Sequence, residues 1–153
     1  MTPQEFRENL QREFPEEIIE IQGDEWEQQL TIKKEGLLNI VEHLRSRGYN
    51  YLSFITAVDN QKDLTLVYHL AFLPTQRTIT IRVNLPKAKP QLDSLTALYK
   101  GADWLEREVF DLFGIRFENH PDLRRILLPQ DWEGHPLRKS YSHPDIVKRP
   151  RVF

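Results

Sequence analysis

Apolar and polar positions alternate in clear blocks along the first two thirds of the chain, and each block predicts an element. Phe6, Leu10 and Phe14 recur every four residues and give a narrow apolar stripe on a short helix over 4–14, ended before Pro15. Two short strands follow, Glu17–Gln22 and Gln28–Lys33, with a turn around Gly23-Asp24. Leu37, Ile40, Val41 and Leu44 recur at helical spacing, so Gly36–Arg47 is a helix, and Gly48 supplies its left-handed stop. Tyr51–Val58 is apolar on both faces and is expected to be a central strand; Leu64–Leu73 is expected to be buried on both sides. Thr78–Leu85 alternates strictly, with Ile79, Ile81, Val83 and Leu85 inward. Short connections join these three strands into an antiparallel meander. Leu92–Leu98 reads as a helical turn or two.

The next helix is expected to start at Asp103 as N-cap, with Glu106 as capping-box partner and Gly114 as its stop. Leu105, Val109 and Leu112 form its inward face. Beyond Gly114 periodicity fades and prolines recur (Pro121, Pro129, Pro136, Pro144, Pro150). Coil of this length is uncommon in a compact domain unless it is functional or disordered. Phe117, Leu123, Ile126, Leu127, Leu128, Trp132, Leu137 and Tyr141 argue against disorder. The fold expected is α+β, with helices packed on one face of a mixed or antiparallel sheet. Residues 1–113 form the domain, and 114–153 form an extended partner-binding tail within one overall unit.

Composition narrows the function by exclusion. With 153 residues the chain fits one domain. It has no cysteine, which removes disulfides, thiolate nucleophiles, Cys-ligated zinc and nearly all iron–sulfur sites. Its six glycines are scattered, so no dinucleotide fingerprint or P-loop can be placed, and no GxSxG elbow occurs. The net charge of −2 argues against a general nucleic-acid binder. Charge is uneven, however: residues 1–27 hold nine acids against Arg7 and Arg12, and residues 115–153 hold eight Lys/Arg against five acids. No secretory signal or membrane-spanning run is visible, so membrane association is expected only through a partner.

Chemistry-bearing residues concentrate in 104–139. Glu106 and Glu108 tempt as an acid/base pair, but at i, i+2 they point to different sides of a helix, and a solvated or partner-facing charged turn is the plainer reading. His120, His135 and His143 each precede proline and could gather a metal with Asp122 or Asp131, although no local His pair presets such a site. His43, on the exposed side of its helix, and His69 read as structural. The basic pairs Arg124-Arg125, Arg138-Lys139 and Lys148-Arg149 have acids interleaved, as in an ionic rim around a protein interface.

The run EREVFDLFGIRFENHPDLRRILLP, Glu106–Pro129, closely resembles the signature of the C-type subunit of proton-pumping NADH:quinone oxidoreductase (respiratory complex I; the J-type subunit in its photosynthetic relative). DWEGHPLRK, Asp131–Lys139, is similar to that family's continuation, whereas SYSHPDIVKRPRVF departs from it. The resemblance implies a peripheral-arm subunit on the cytoplasmic side of the cell membrane that carries no cofactor itself, FMN and iron–sulfur clusters lying on other subunits. It implies packing against the D-type subunit, which with the B-type subunit forms the quinone pocket. By position it makes Glu106, Arg107, Glu108, Asp111, His120, Pro121, Arg124, Arg125, Asp131, His135 and Arg138 interface or tail-anchoring residues, with no catalytic residue among them. Buried charges need partners, so Arg107 and either Arg124 or Arg125 are expected to meet carboxylates. Alternatives are the equivalent subunit of a ferredoxin- or F420-dependent quinone reductase or of a membrane-bound hydrogenase, and a small metal-dependent enzyme using the histidines.

Overall fold

In the computed structural model, which describes residues 1–143, eleven residues of α1 (Pro3–Glu13) lead into the hairpin β1 (Ile18–Gly23) and β2 (Glu27–Ile32). Helix α2 (Leu37–Ser46) follows, then the meander β3 (Tyr51–Asp59), β4 (Asp63–Phe72) and β5 (Arg77–Pro86). The short strand β6 (Gln91–Asp93), helix α3 (Ala102–Phe113) and short strand β7 (Arg116–Glu118) complete the regular elements. Helix α1 starts at a full capping box: the Thr2 hydroxyl accepts from Glu5 N–H and Glu5 accepts from Thr2 N–H, with proline at the first helical position.

The main sheet has the order β1-β2-β5-β4-β3, antiparallel except for the parallel β2/β5 pair. Leu30, Ile81, Tyr68 and Ile55 lie side by side across it and are all buried. They join Leu10, Ile40, Leu44 and Val109 from the three helices in one core, so the helices share one face of the sheet. The neighbouring row, Thr31, Arg82, Val67 and Thr56, points to the other face. Among the described residues no helix is long and apolar enough to cross a membrane.

Four expectations change. Tyr51–Val58 is an edge strand, not a central one; Tyr51, Phe54 and Val58 are exposed on the uncovered face, where Phe54 stacks on His69 at 5.0 Å. A run apolar on both faces here reflects one packed face and one open face with apolar side chains. Leu92 lies in a strand, with the turn confined to Leu95–Tyr99, because β6 pairs in parallel with β7. Residues just past Gly114 are therefore part of the body: Ile115 and Phe117 are buried in the core. His43 is mostly covered, 3.0 Å from Glu13 and edge-on to Phe14.

Candidate functional site: the α3 clasp and the C-terminal strap

From Asn119 to His143 the chain has no regular secondary structure, yet it is fixed along α3. We call this segment the strap. The physical reason begins with the end of the helix. The last four carbonyls of any helix lack partners within it. Here Phe110 C=O accepts from Gly114 N–H, and the strap supplies the rest. Asp111 C=O accepts from Arg125 at 3.0 Å and lies 3.0 Å from His135 Nδ1; Leu112 C=O accepts from Leu137 N–H at 3.0 Å; Phe113 C=O accepts from Arg138 Nε at 2.6 Å. Cationic Arg125 and Arg138 also suit the negative end of the helix dipole.

Asp111 is the centre of the clasp and is fully buried. Its Oδ2 accepts the N–H groups of Ile126, Leu127 and Leu128 at 3.2, 2.8 and 2.9 Å, and its Oδ1 accepts from Arg125 at 2.7 Å. Burial pushes its pKa up, but these donors outweigh burial and hold it below the usual carboxylate range. Arg107 donates to the carbonyls of Arg124 and Arg125, both at 3.2 Å, and its guanidinium lies 5.9 Å from the Trp104 ring centroid. Arg125 therefore meets a carboxylate as expected, and Arg124 pairs with exposed Asp122 at 2.9 Å. Arg107 does not: it binds backbone carbonyls, because a turn of the strap passes over it.

The expected N-cap is absent. Helix α3 is preceded by Gly101 without a side-chain cap, and Glu106 reaches elsewhere. It is no solvated turn residue either, being fully buried, with Ser94 hydroxyl at 2.6 Å and Leu95 N–H at 2.6 Å as donors. Burial raises its pKa to about 7; Ser94 and Leu95 oppose the shift and Asp103 adds to it. His120, whose side chain is wholly covered, sits 3.9 Å from Glu106 and 3.2 Å from Asp103 Oδ1. Its Nδ1 accepts from Asp122 N–H at 3.0 Å, so Nε2 carries the proton toward Asp103 C=O at 3.1 Å. Further along, Lys139 N–H donates to Asp59 at 2.9 Å. The Lys87 ammonium, and then that N–H, hold Asp59 down to about 2.

Arg107, Asp111, His120, Arg125, His135 and Arg138 thus converge on holding the strap, Glu106 binds the loop after β6 and meets the strap only at His120, 3.9 Å away, and Glu108, Pro121, Arg124 and Asp131 are exposed. Ser94, Asp103 and Asp59 belong to the same network; in the sequence Asp103 stood out only as an N-cap, and Ser94 and Asp59 did not stand out, because their partners lie on other elements. The histidines do not gather: His135 lies near Phe110, and His143 stacks on Trp132 at 4.8 Å. Among the described residues no group of three or more His, Asp or Glu could hold a metal. Lys148-Arg149 lies outside the described residues. What this arrangement does chemically is orient backbone, leaving Trp104, Leu127 and Leu137 more than half exposed beside it.

Gly114 marks how close the fit is. It has φ +75, and a Cβ there would lie 2.5 Å from the His135 ring. Gly114→Ala is expected to lower stability by at least ~1–2 kcal/mol from backbone strain alone and to expel His135; thermal unfolding together with the His135 ring resonances checks this.

Residues 30–146 match the family described as the respiratory-chain NADH dehydrogenase 30 kDa subunit. A C-type subunit of NADH-quinone oxidoreductase from Citrifermentans bemidjiense is 42% identical over 86% of this chain and 84% of its own length. The one from Moorella thermoacetica is 42% identical over 89% and 93%. A combined C/D-type subunit of the same enzyme from Methylococcus capsulatus is 41% identical over 69% of this chain and 20% of its own length. Among solved structures, a trypsin-resistant fragment of Nqo5 superposes with a TM-score of 0.66 at 31% identity, covering 78% of this chain and 98% of the fragment. A chain of the archaeal membrane-bound sulfane sulfur reductase superposes with a TM-score of 0.80 at 20% identity over 98% and 95%, a likeness of fold.

Proposed function

Because the chain belongs to the respiratory-chain NADH dehydrogenase 30 kDa subunit family, we propose that it is a cofactor-free docking subunit of a proton-translocating NADH:quinone oxidoreductase. Its strap lies on the quinone-site D-type subunit, near the B-type subunit, and contributes no redox centre. The observation that carries this reading is the division of labour in the strap. Its buried polar groups are bound to α3, while the apolar side chains of Trp104, Leu127 and Leu137 and the charged ones of Glu108, Arg124 and Asp131 stay exposed. Exposed aromatic and aliphatic side chains together with charged ones are the composition of a protein interface. The Methylococcus capsulatus relative, whose name joins the C and D types in one polypeptide, supports the D-type subunit as the neighbour. Contact with the membrane comes through the complex, on the cytoplasmic side. On this reading the donor, whether NADH, ferredoxin or F420, acts on other subunits.

Affinity capture of the tagged chain from gently solubilised membranes tests the proposal. Wild type is expected to bring down the D-type and B-type subunits. A Leu127→Asp, Arg124→Glu variant is expected to recover them at least tenfold less, as for loss of an interface anchor. The thermal midpoint of its isolated chain should stay within about 2 °C of wild type, since both side chains are surface-exposed. Wild type recovered without a large partner would refute the docking role. An equal loss of stability in the isolated variant would show that these side chains serve the chain's own fold.

A further inference from the structure

Past Arg138 the strap leaves α3 and crosses to the main sheet. Its landing point is Asp59, the last residue of β3, which is 5% exposed. One carboxylate there collects donors from three parts of the chain. Its Oδ2 accepts the Lys139 N–H at 2.9 Å. Its Oδ1 accepts the Gln61 N–H at 2.9 Å and lies 2.5 Å from the Lys87 ammonium. Lys139 belongs to the strap, Gln61 to the tight β3–β4 turn, and Lys87 to the connection that follows β5. Gln61 has φ 68, a left-handed conformation that residues other than glycine disfavour. The same carboxylate therefore steadies a strained turn and seats the end of the strap.

In outline this repeats the Asp111 clasp, a buried carboxylate with backbone N–H donors and one cation, but on a different element. The two seats share no donor. Asp111 takes Arg125 and the N–H groups of Ile126, Leu127 and Leu128, whereas Asp59 takes Lys139. Between them, Leu137 N–H and Arg138 Nε are spent on the Leu112 and Phe113 carbonyls. Two hydrogen bonds beyond Arg138 are internal to the strap: Tyr141 N–H donates to Arg138 C=O, and Trp132 Nε1 donates to the Tyr141 hydroxyl, both at 3.1 Å. Lifting Lys139 off Asp59 leaves all of these bonds in place. We propose that Asp59 is a latch for the far end of the strap, which seats residues 139–143 against the β3–β4 turn and opens by itself while the α3 clasp stays closed. Opening frees that end and keeps the strap's outer surface on α3. Its use, movement of the end during assembly without unseating the part that meets a partner, rests on the docking reading; the latch itself is intrinsic to the chain, so its failure would leave the docking role untouched.

Hydrogen exchange of the full ¹⁵N-labelled chain, read amide by amide, tests the latch. Asp59→Ala is expected to speed exchange at Lys139 and Gln61 by about tenfold to a hundredfold, the effect of losing a hydrogen bond to a charged acceptor. The amides of Ile126, Leu127, Leu128 and Leu137 should change by less than about twofold, as for sites that share no partner with Asp59. Lys87→Met removes the cation from a partly exposed pair and keeps both N–H bonds. It should speed Lys139 exchange by about threefold with the same pattern elsewhere, and it decides alone where Asp59→Ala does not fold. An unchanged Lys139 rate would show that the carboxylate does not hold the end of the strap. Equal acceleration at Ile126, Leu127 and Leu128 would show one cooperative unit with no separate latch. Either result overturns the inference.

Discussion

Replacing Asp111 with alanine is expected to speed hydrogen exchange at the amides of Ile126, Leu127 and Leu128 by about a hundredfold to a thousandfold. Those three N–H groups and the Arg125 guanidinium all converge on one fully buried carboxylate. Removing one partner of a buried charge pair costs roughly 3–5 kcal/mol, largely because the other is stranded, and each 1.4 kcal/mol is about tenfold in an opening equilibrium. The strap is the part that opens, since the sheet core does not depend on it, so trypsin should cut the variant first after Arg124, Arg125 or Arg138. A pH effect follows from the same site. The folded-state pKa of Asp111 is depressed, so its contribution is complete above the ordinary aspartate pKa and is lost as pH falls through the folded value. The strap should therefore loosen on acidification below about pH 4. Unchanged exchange at the three amides in Asp111→Ala would mean that the clasp does not hold the strap.

Glu106→Gln is expected to abolish a pH dependence that the wild-type chain shows between about pH 4.5 and 7. The carboxyl is fully buried and its pKa stands at about 7 in the fold, against 4.5 in the open chain. Within that window the folded protein binds the proton and the unfolded chain does not. Stability accordingly falls as pH rises from 4.5 to 7 and levels off on either side, by about 3 kcal/mol in all. Glutamine can accept the Leu95 N–H and donate to Ser94, so it keeps the geometry without the charge. The groups facing Glu106 are Asp103, His120, Ser94, Leu95 and Tyr68; burial first, then Glu106 and Asp93, push the Tyr68 hydroxyl well above its ordinary pKa, so it stays neutral here. Urea unfolding of both chains at pH 5.5 and pH 8.0 decides the matter. Parallel pH profiles would show that Glu106 does not carry the proton.

The fold was legible where burial imposes a period. Leu37, Ile40, Val41 and Leu44 on α2, and Ile79 to Leu85 on β5, are buried as their spacing requires. The parallel β2/β5 pairing and the β6/β7 pair were not, because a partner strand distant in sequence leaves no local pattern. Tyr51–Asp59 misled for a related reason: exposed Tyr51, Phe54 and Val58 give an edge strand the composition of a central one. Around the strap, the residue types and their spacing singled out the segment that the structure fixes along α3. Whether each charge faces a partner or the chain itself depended on the strap's path, and no periodicity encodes that path. Glu106 shows the limit clearly, since a carboxylate in an acidic helical turn is ordinarily solvated and here is sealed by Ser94 and Leu95.

The docking role rests on the strap's outer surface being covered in the assembled enzyme. A photo-crosslinking amino acid at position 127, introduced into the chain in its native membranes, measures that directly. Irradiation is expected to yield one dominant adduct, with the D-type subunit, while the same group placed at Lys62, an exposed loop position, yields no such adduct. Efficient incorporation into the complex with no adduct from position 127 would place that surface in bulk water and contradict the docking role.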